Sequence, residues 1–351
     1  MASSLNNPAW LEWMTTLMGG VSGEASRQSH AAMFPPDRFY CLLDELPLHL
    51  IPQHFLRSLR LQENRHQPLY LNPEFFLCSA GQMPELSMQK GLLSGFALQG
   101  TVAWVPNRAT GNLLPFWLGP ELEGVLRALC PDEPVPSSVP DRERYLLAAA
   151  DILLPEDQSG QRRRDREEKV EKASSQFREK GYAPLDDLIH PFHVAALRRY
   201  YRYLIRTGAV PLGDGQSPHR YVAYNEAVAR FFHHDIATTL SAVAGESLKP
   251  SYVYLASYLS GAELKKHIDR EQCEFSVTLC LDFSPEPMLE TPWPIRLDTP
   301  SSAVTVYQAL GDGLAYRGTW LPHYRDTLGE GQTSTSIFFH YVAADFAGSL
   351  D

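Results

Sequence analysis

Between Ser251 and Val342 the chain reads as a succession of short strands with no helical period among them, and that run restricts the folds open to it. Ser251-Tyr-Val-Tyr-Leu-Ala-Ser-Tyr258 alternates so that Tyr252, Tyr254, Ala256 and Tyr258 share one face. Glu274–Leu281 is a strong strand candidate. Val304–Tyr307, Gly313–Arg317, His323–Arg325 and Thr335–Val342 follow it, parted by turns that carry Pro and Gly. The pattern predicts an antiparallel barrel or a double-sheet roll.

Within this run His267-Ile268-Asp269 sets two metal-ligating side chains at i and i+2, which point the same way at a strand end. A third ligand has to come from elsewhere, and His323 in Leu321-Pro-His-Tyr-Arg325 supplies it once the strands fold back. Two imidazoles and a carboxylate on one face of a metal leave the opposite positions open for O2 and a co-substrate, the arrangement of non-haem Fe(II) oxygenases. A His beside an Asp is ordinarily a surface pair; the strand context singles this one out.

The tyrosine strand, His267-Ile-Asp269, the Gly311-Asp-Gly313 turn before a strand and His323 together resemble the Fe(II)/2-oxoglutarate-dependent dioxygenase superfamily, most of all its prolyl-4-hydroxylase-like branch. The resemblance covers the last third of the chain and, loosely, the helices before it. It implies an α+β protein whose C-terminal part is a double-stranded β-helix, a jelly-roll or cupin-like barrel, buttressed by helices. It also implies Fe(II) on His267, Asp269 and His323, with 2-oxoglutarate and O2 as co-substrates. The reaction implied is hydroxylation of an unactivated C–H coupled to decarboxylation of 2-oxoglutarate to succinate.

One feature departs from that pattern. Relatives place an Arg or Lys on the last barrel strand, after the distal His, to grip the far carboxylate of 2-oxoglutarate. Here the window reads Gly331-Gln-Thr-Ser-Thr-Ser336, without a cation. Arg325, on the same strand face as His323, is the favoured replacement, because its guanidinium fork matches a carboxylate. Arg317 on the preceding strand competes. The hydroxyls of Ser334 and Tyr258 assist, Tyr254 lines the same pocket, and His340 is a further donor.

The helices ahead of the strands are legible from their stripes. Leu197, Tyr200, Tyr201, Leu204 and Ile205 form one apolar face closed by Gly208. Asn225 is placed to cap a second helix carrying Val228, Phe231, Phe232, Ile236 and Leu240 and ending near Gly245. Both are expected to buttress a sheet. His233-His234 reads as one packed and one exposed residue, not as ligands.

The remainder divides by composition. Residues 1–140 read as a mixed α/β region, a possible substrate-recognition domain, with a strand candidate at Gly95–Trp104, apolar segments at Phe39–Leu43 and Phe55–Leu59, and a helix candidate at Leu122–Leu129. Residues 141–185 read as a charged helical linker, with a helix over Arg142–Leu154 and a mobile turn at Gln158-Ser-Gly160. Residues 186–351 form the dioxygenase domain, with its core barrel at 251–342. A net charge of -10 and a pI near 5.7 argue against nucleic acid as a partner. Five widely spaced cysteines without a C-x-x-C pair fit a reducing compartment. The Trp10–Met18 helix candidate is preceded by no charged region and no run has the length of a membrane span, so the expectation is a cytoplasmic protein without a membrane partner.

The leading function is hydroxylation of an amino-acid side chain, free or in a peptide, with a small-molecule natural-product intermediate as the alternative substrate. A halogenase is disfavoured because Asp269 fills the position that chloride would need. A zinc-dependent hydrolase on the same three ligands would require a general base, for which Glu263 and Glu274 are the nearest in sequence. A non-catalytic binding module would leave His267 and Asp269 idle.

Overall fold

The computed structural model describes residues 30–56, 67–82, 91–156 and 158–350. The helix expected over Trp10–Met18, and the part of Phe55–Leu59 beyond Leu56, lie outside them. In chain order the strands are β1 (Leu69–Leu71), β2 (Phe76–Ser79), β3 (Thr101–Pro106), β4 (Leu113–Leu118), β5 (Leu153–Pro155), β6 (Tyr182–Leu185) and β7 (Arg220–Tyr224). There follow β8 (Leu248–Tyr258), β9 (Leu264–His267), β10 (Phe275–Ser284), β11 (Ile295–Asp298), β12 (Ala303–Val306), β13 (Gly313–Arg317), β14 (His323–Arg325) and β15 (Thr333–Ala343). The protein is thus a mixed α/β molecule built on several antiparallel sheets.

A six-stranded sheet has the order β6-β13-β10-β15-β8-β7 and a four-stranded sheet the order β12-β11-β14-β9. From β8 onward the chain alternates between them: β8 and β10 lie in the large sheet with β9 between them in the small one, and β13 and β15 in the large with β14 between them in the small. Tyr182, Leu314 and Tyr316 of the large sheet meet Ile295 and Leu297 of the small one in an apolar cluster closed by Leu321. The large sheet's other face carries the helices. Phe177 of the Gln158–Lys180 helix stacks on Phe275 with ring centroids 6.3 Å apart, and His233 of the Ala227–Ala244 helix lies against Phe339 and Tyr341.

The period of two sorts side chains between these faces. On β10 Phe275, Val277 and Leu279 belong to the main apolar core, while Ser276 and Thr278 alternate with them. On β15 Ile337, Phe339 and Tyr341 do the same, and Ser334, Ser336, Phe338 and His340 face the other way. Small polar residues that are almost fully buried therefore line the space between the sheets.

The described N-terminal strands β2, β3 and β4 form a sheet of their own that packs on the outer side of the helices. Phe96 meets Phe231 at 4.9 Å and Phe116 meets His193 at 4.4 Å. One apolar core runs from Phe34 through these residues to Tyr341. The interval expected as a linker enters that core: Gln158-Ser-Gly160 is the start of a helix, not a turn, and Ala173 and Phe177 of that helix are buried. Most of its charges lie on an exposed face, where Gln161 bonds Asp165, while Arg162 reaches inward to the buried Asp151 at 2.8 Å.

Two local expectations are corrected. The helix over Arg142–Leu154 stops at Ala149, because Asp151 takes φ 61° and Leu153–Pro155 pairs with β1. The helix at Ala227 is capped by Glu226, whose carboxylate accepts from the Val228 and Ala229 amides at 3.1 Å; Asn225 sits before it at φ 47°. Among the described residues no helix is long and apolar enough to cross a membrane.

Asp235 on that helix is buried, with Thr110 Oγ1 at 3.4 Å and its Oδ1 unpartnered, and burial pushes its carboxyl up to about 7. A folded-state value raised above the unfolded one means that the native state holds the proton longer. Stability therefore falls as pH rises from about 4 to about 7 and is flat beyond. Asp235→Asn should add on the order of 2–4 kcal/mol at pH 8 and nothing below pH 4. Urea midpoints at the two pH values measure this, and equal midpoints at pH 8 would refute it.

Candidate metal centre

β9 and β14 are neighbours in the small sheet, and their register sets His323 directly opposite His267, with ring centroids 4.4 Å apart. Asp269 lies just past the end of β9. Its amide donates to the Gly318 carbonyl at 2.9 Å, which turns the side chain toward the two rings. Asp269 Oδ1 is 3.6 Å from His267 Nε2 and 3.6 Å from His323 Nε2, and the ligand atoms of the three residues all lie within 4.8 Å of one another.

Each histidine is oriented by its other nitrogen. His267 Nδ1 donates to the Lys265 carbonyl at 2.7 Å and His323 Nδ1 to the Leu321 carbonyl at 3.0 Å, so both Nε2 atoms keep their lone pairs for a metal. Asp269 is divided likewise: Oδ2 accepts from Ser276 Oγ at 3.2 Å while Oδ1 faces the imidazoles. Burial opposes ionisation of Asp269, but its contact with His267 and the nearby histidines outweigh it and hold the carboxyl below the usual range. The same contact raises the pKa of His267, which is half exposed, whereas burial lowers that of His323.

Deeper between the sheets lies a second polar group. Arg325 is 5 % exposed, and its NH groups reach the Trp293 carbonyl and, at 3.3 Å, Gln308 Oε1. Its Nε has no partner, and among the described residues no carboxylate pairs with it. Burial lowers its pKa, opposed only by the Cys280, Tyr258 and Tyr316 side chains around it. Tyr258 and Ser334 are opposite one another in register on β8 and β15. The small residues Ala256, Ser336 and Cys280 stand in register on the neighbouring strands β8, β15 and β10. Thr278 Oγ1, Arg325 Nε and His340 Nε2 are all buried without a hydrogen-bond partner, and all belong to strands that line this space.

The sequence-expected residues thus divide. His267, Asp269 and His323 come together, as do Arg325, Tyr258 and Ser334. Tyr254 stacks on Phe338 at 4.7 Å and on Tyr224, which is 58 % exposed, so it links the interior to the surface. Arg317 is not in the pocket. It lies over the Phe177 and Phe275 rings and pairs with Glu246 at 3.8 Å, because on β13 it takes the helix-covered face. His340 is not a free donor to the pocket through Nδ1, which meets Ser276 Oγ at 2.8 Å.

Sequence reasoning passed over Arg220, which is buried on β7, paired with Asp214 at 2.6 Å and 3.5 Å from the Tyr258 hydroxyl. It also passed over Trp293, whose ring lies 4.9 Å from the Arg325 guanidinium, and Gln308. Lone residues in loops and short strands carry no periodic signal that would have marked them.

The chain matches no family model and no curated protein. Solved structures similar to it include the non-haem α-ketoglutarate-dependent epimerase SnoN from nogalamycin biosynthesis, at 15 % identity and a TM-score of 0.42 over 50 % of this chain and 83 % of that one. A Pseudomonas putida prolyl-4-hydroxylase aligns at 16 % identity and 0.40 over 49 % of this chain and 98 % of that one. EctD from S. alaskensis aligns at 16 % and 0.41 over 49 % and 76 %. At these levels the functional reading rests on the side chains described above.

Proposed function

We propose that the chain is an Fe(II)- and 2-oxoglutarate-dependent oxygenase whose β8–β15 region is a double-stranded β-helix. The observation that carries the reading is Arg325: a buried guanidinium with no counter-ion among the described residues, within the same two-sheet space as an open two-His-one-carboxylate set. Leaving a buried charge unpaired is costly, so the pocket is made for an anion that arrives with its own charge. The residues fit the cofactor set. His267, Asp269 and His323 would hold Fe(II), Arg325 would take the distal carboxylate of 2-oxoglutarate, and Tyr258 and Ser334 would add hydroxyl donors.

When bound, the iron and 2-oxoglutarate supply O2 activation and oxidation of an unactivated C–H. The chain's own contribution is positional. Ser276 keeps one oxygen of Asp269 occupied so that the other faces the metal position, and the carbonyls of Lys265 and Leu321 fix the imidazole tautomers. Trp293, Tyr258 and Tyr316 shelter the anion pocket from water. Hydroxylation of an amino-acid side chain, free or in a peptide, is the reaction to test first, with small-molecule natural products as the second panel.

The expected result is that anaerobic Fe(II) binds one per chain and that adding 2-oxoglutarate produces a weak visible charge-transfer band. Asp269→Ala should abolish both. Mass spectrometry of the two substrate panels after admission of O2 then identifies the product. Iron bound as tightly by Asp269→Ala as by the parent would place the metal elsewhere.

A further inference from the structure

Asp269 has metal-ligating neighbours on its other side. Asp269, Cys273 and His340 each offer a ligand atom, and these atoms also lie within 4.8 Å of one another. Cys273 and His340 are both 2 % exposed. His340 Nδ1 is held by Ser276 Oγ at 2.8 Å, which fixes the ring and leaves Nε2 buried with no hydrogen-bond partner among the described residues. Cys273 sits in the short helical turn after Asp269, with its Sγ 3.0 Å from the Tyr252 hydroxyl. A buried ring with an unpartnered nitrogen, in a cluster with a thiol and a carboxylate, costs stability unless something satisfies it.

We propose that Asp269, Cys273 and His340 form a second metal site, selective for a thiophilic dication such as Zn(II), which shares Asp269 with the first. The donor sets differ in the required sense. A thiolate, an imidazole and a carboxylate suit zinc, whereas the first set offers no sulfur. A dication there deprotonates the thiol outright, with the proton passing to solvent. The Tyr252 hydroxyl, at hydrogen-bond distance from the sulfur, donates to the resulting thiolate. Arg270 is exposed, stacks over the Tyr252 ring and interacts with the Cys273 side chain, so a dication there would displace it outward.

Sharing one carboxylate makes the two sites interact. An ion on the second site draws electron density from Asp269 and competes with the Ser276 hydroxyl for it, so zinc should weaken iron binding at the first site without occupying it.

The test uses Co(II) as a spectroscopic probe on the metal-free full chain. The parent should show a near-ultraviolet thiolate-to-cobalt charge-transfer band that Zn(II) displaces. The band should persist in His267→Ala, which breaks only the first site, and vanish in Cys273→Ser, which should still bind cobalt at the first site. A parent without the band overturns the proposal, as does loss of the band in His267→Ala, which would make Cys273 a ligand of the first metal. Cobalt binding that His267→Ala abolishes, with no thiolate band at all, overturns this second site and leaves the oxygenase reading standing.

Discussion

Arg325→Gln should raise the 2-oxoglutarate KM by on the order of a hundredfold, which is about 3 kcal/mol of a desolvated, charge-assisted contact. Fe(II) affinity should stay near that of the parent, because the side chain touches Trp293 and Gln308 and none of the metal ligands. A second readout separates this role from mere packing. A guanidinium buried without a counter-ion burdens the unliganded fold, so removing its charge should raise the melting temperature of the ligand-free protein. If Arg325 were a structural core residue, the same change would lower it. Arg317→Gln is the control, expected to leave the KM unchanged because that side chain faces Glu246 across the helix-covered surface. A normal KM in Arg325→Gln would remove the role.

Gly318→Ala should lower Fe(II) affinity by at least on the order of a hundredfold, again about 3 kcal/mol. A Cβ on Gly318 would collide with Asp269 Oδ2 and with the Cys273 carbonyl, and would crowd Ser276 Oγ at 3.0 Å. One of these is backbone and cannot swing aside, so the carboxylate is the group that moves, and it moves out of line with the two imidazoles. Overpacking of this kind also costs about 1–3 kcal/mol of stability, so the circular dichroism spectrum should stay native while the urea midpoint falls. Native iron affinity in a folded Gly318→Ala protein would show that Asp269 is not held as described.

The two halves of this site were unequally legible in the sequence. The grouping of His267, Asp269 and His323 was legible because His267 and His323 stand on strands whose alternation declares which way each side chain points, with Asp269 just past the end of the first. The same alternation on His323-Tyr-Arg325 put Arg325 on the buried side with His323, and the missing cation after Gly331 made it the candidate. Arg317 was misread because strand membership says that a residue faces one side or the other, and only the packing of Phe177 on Phe275 decides which side the helices cover. Between 251 and 342 the strands other than β11 were found nearly to their ends, whereas β1, β2, β4, β5, β6, β7 and β11 were missed and the strand expected over Gly95–Trp104 begins at Thr101. Of those missed, β6, β7 and β11 are short, and each takes its place from a neighbouring strand more than from its own composition. Glu226 displaced Asn225 as the helix cap for a related reason: Asn225 is committed to β8, where its amide donates to Val253.

β6 gives the outermost strand of the large sheet to a segment that lies between the Gln158–Lys180 and Ala227–Ala244 helices in the chain. Its residues Tyr182–Leu185 pair with Gly313–Tyr316, and without them β13 would present an open row of amides and carbonyls. A segment that began at residue 186 would therefore leave this edge of β13 without its partner strand. A lineage that exchanged what precedes residue 186 would have to keep this strand, and the long helix leading into it, in order to keep the sheet from adding a foreign one. The join between the two halves of this gene product is a hydrogen-bonded seam, and recombination across it would be expected to succeed only upstream of the Gln158–Lys180 helix.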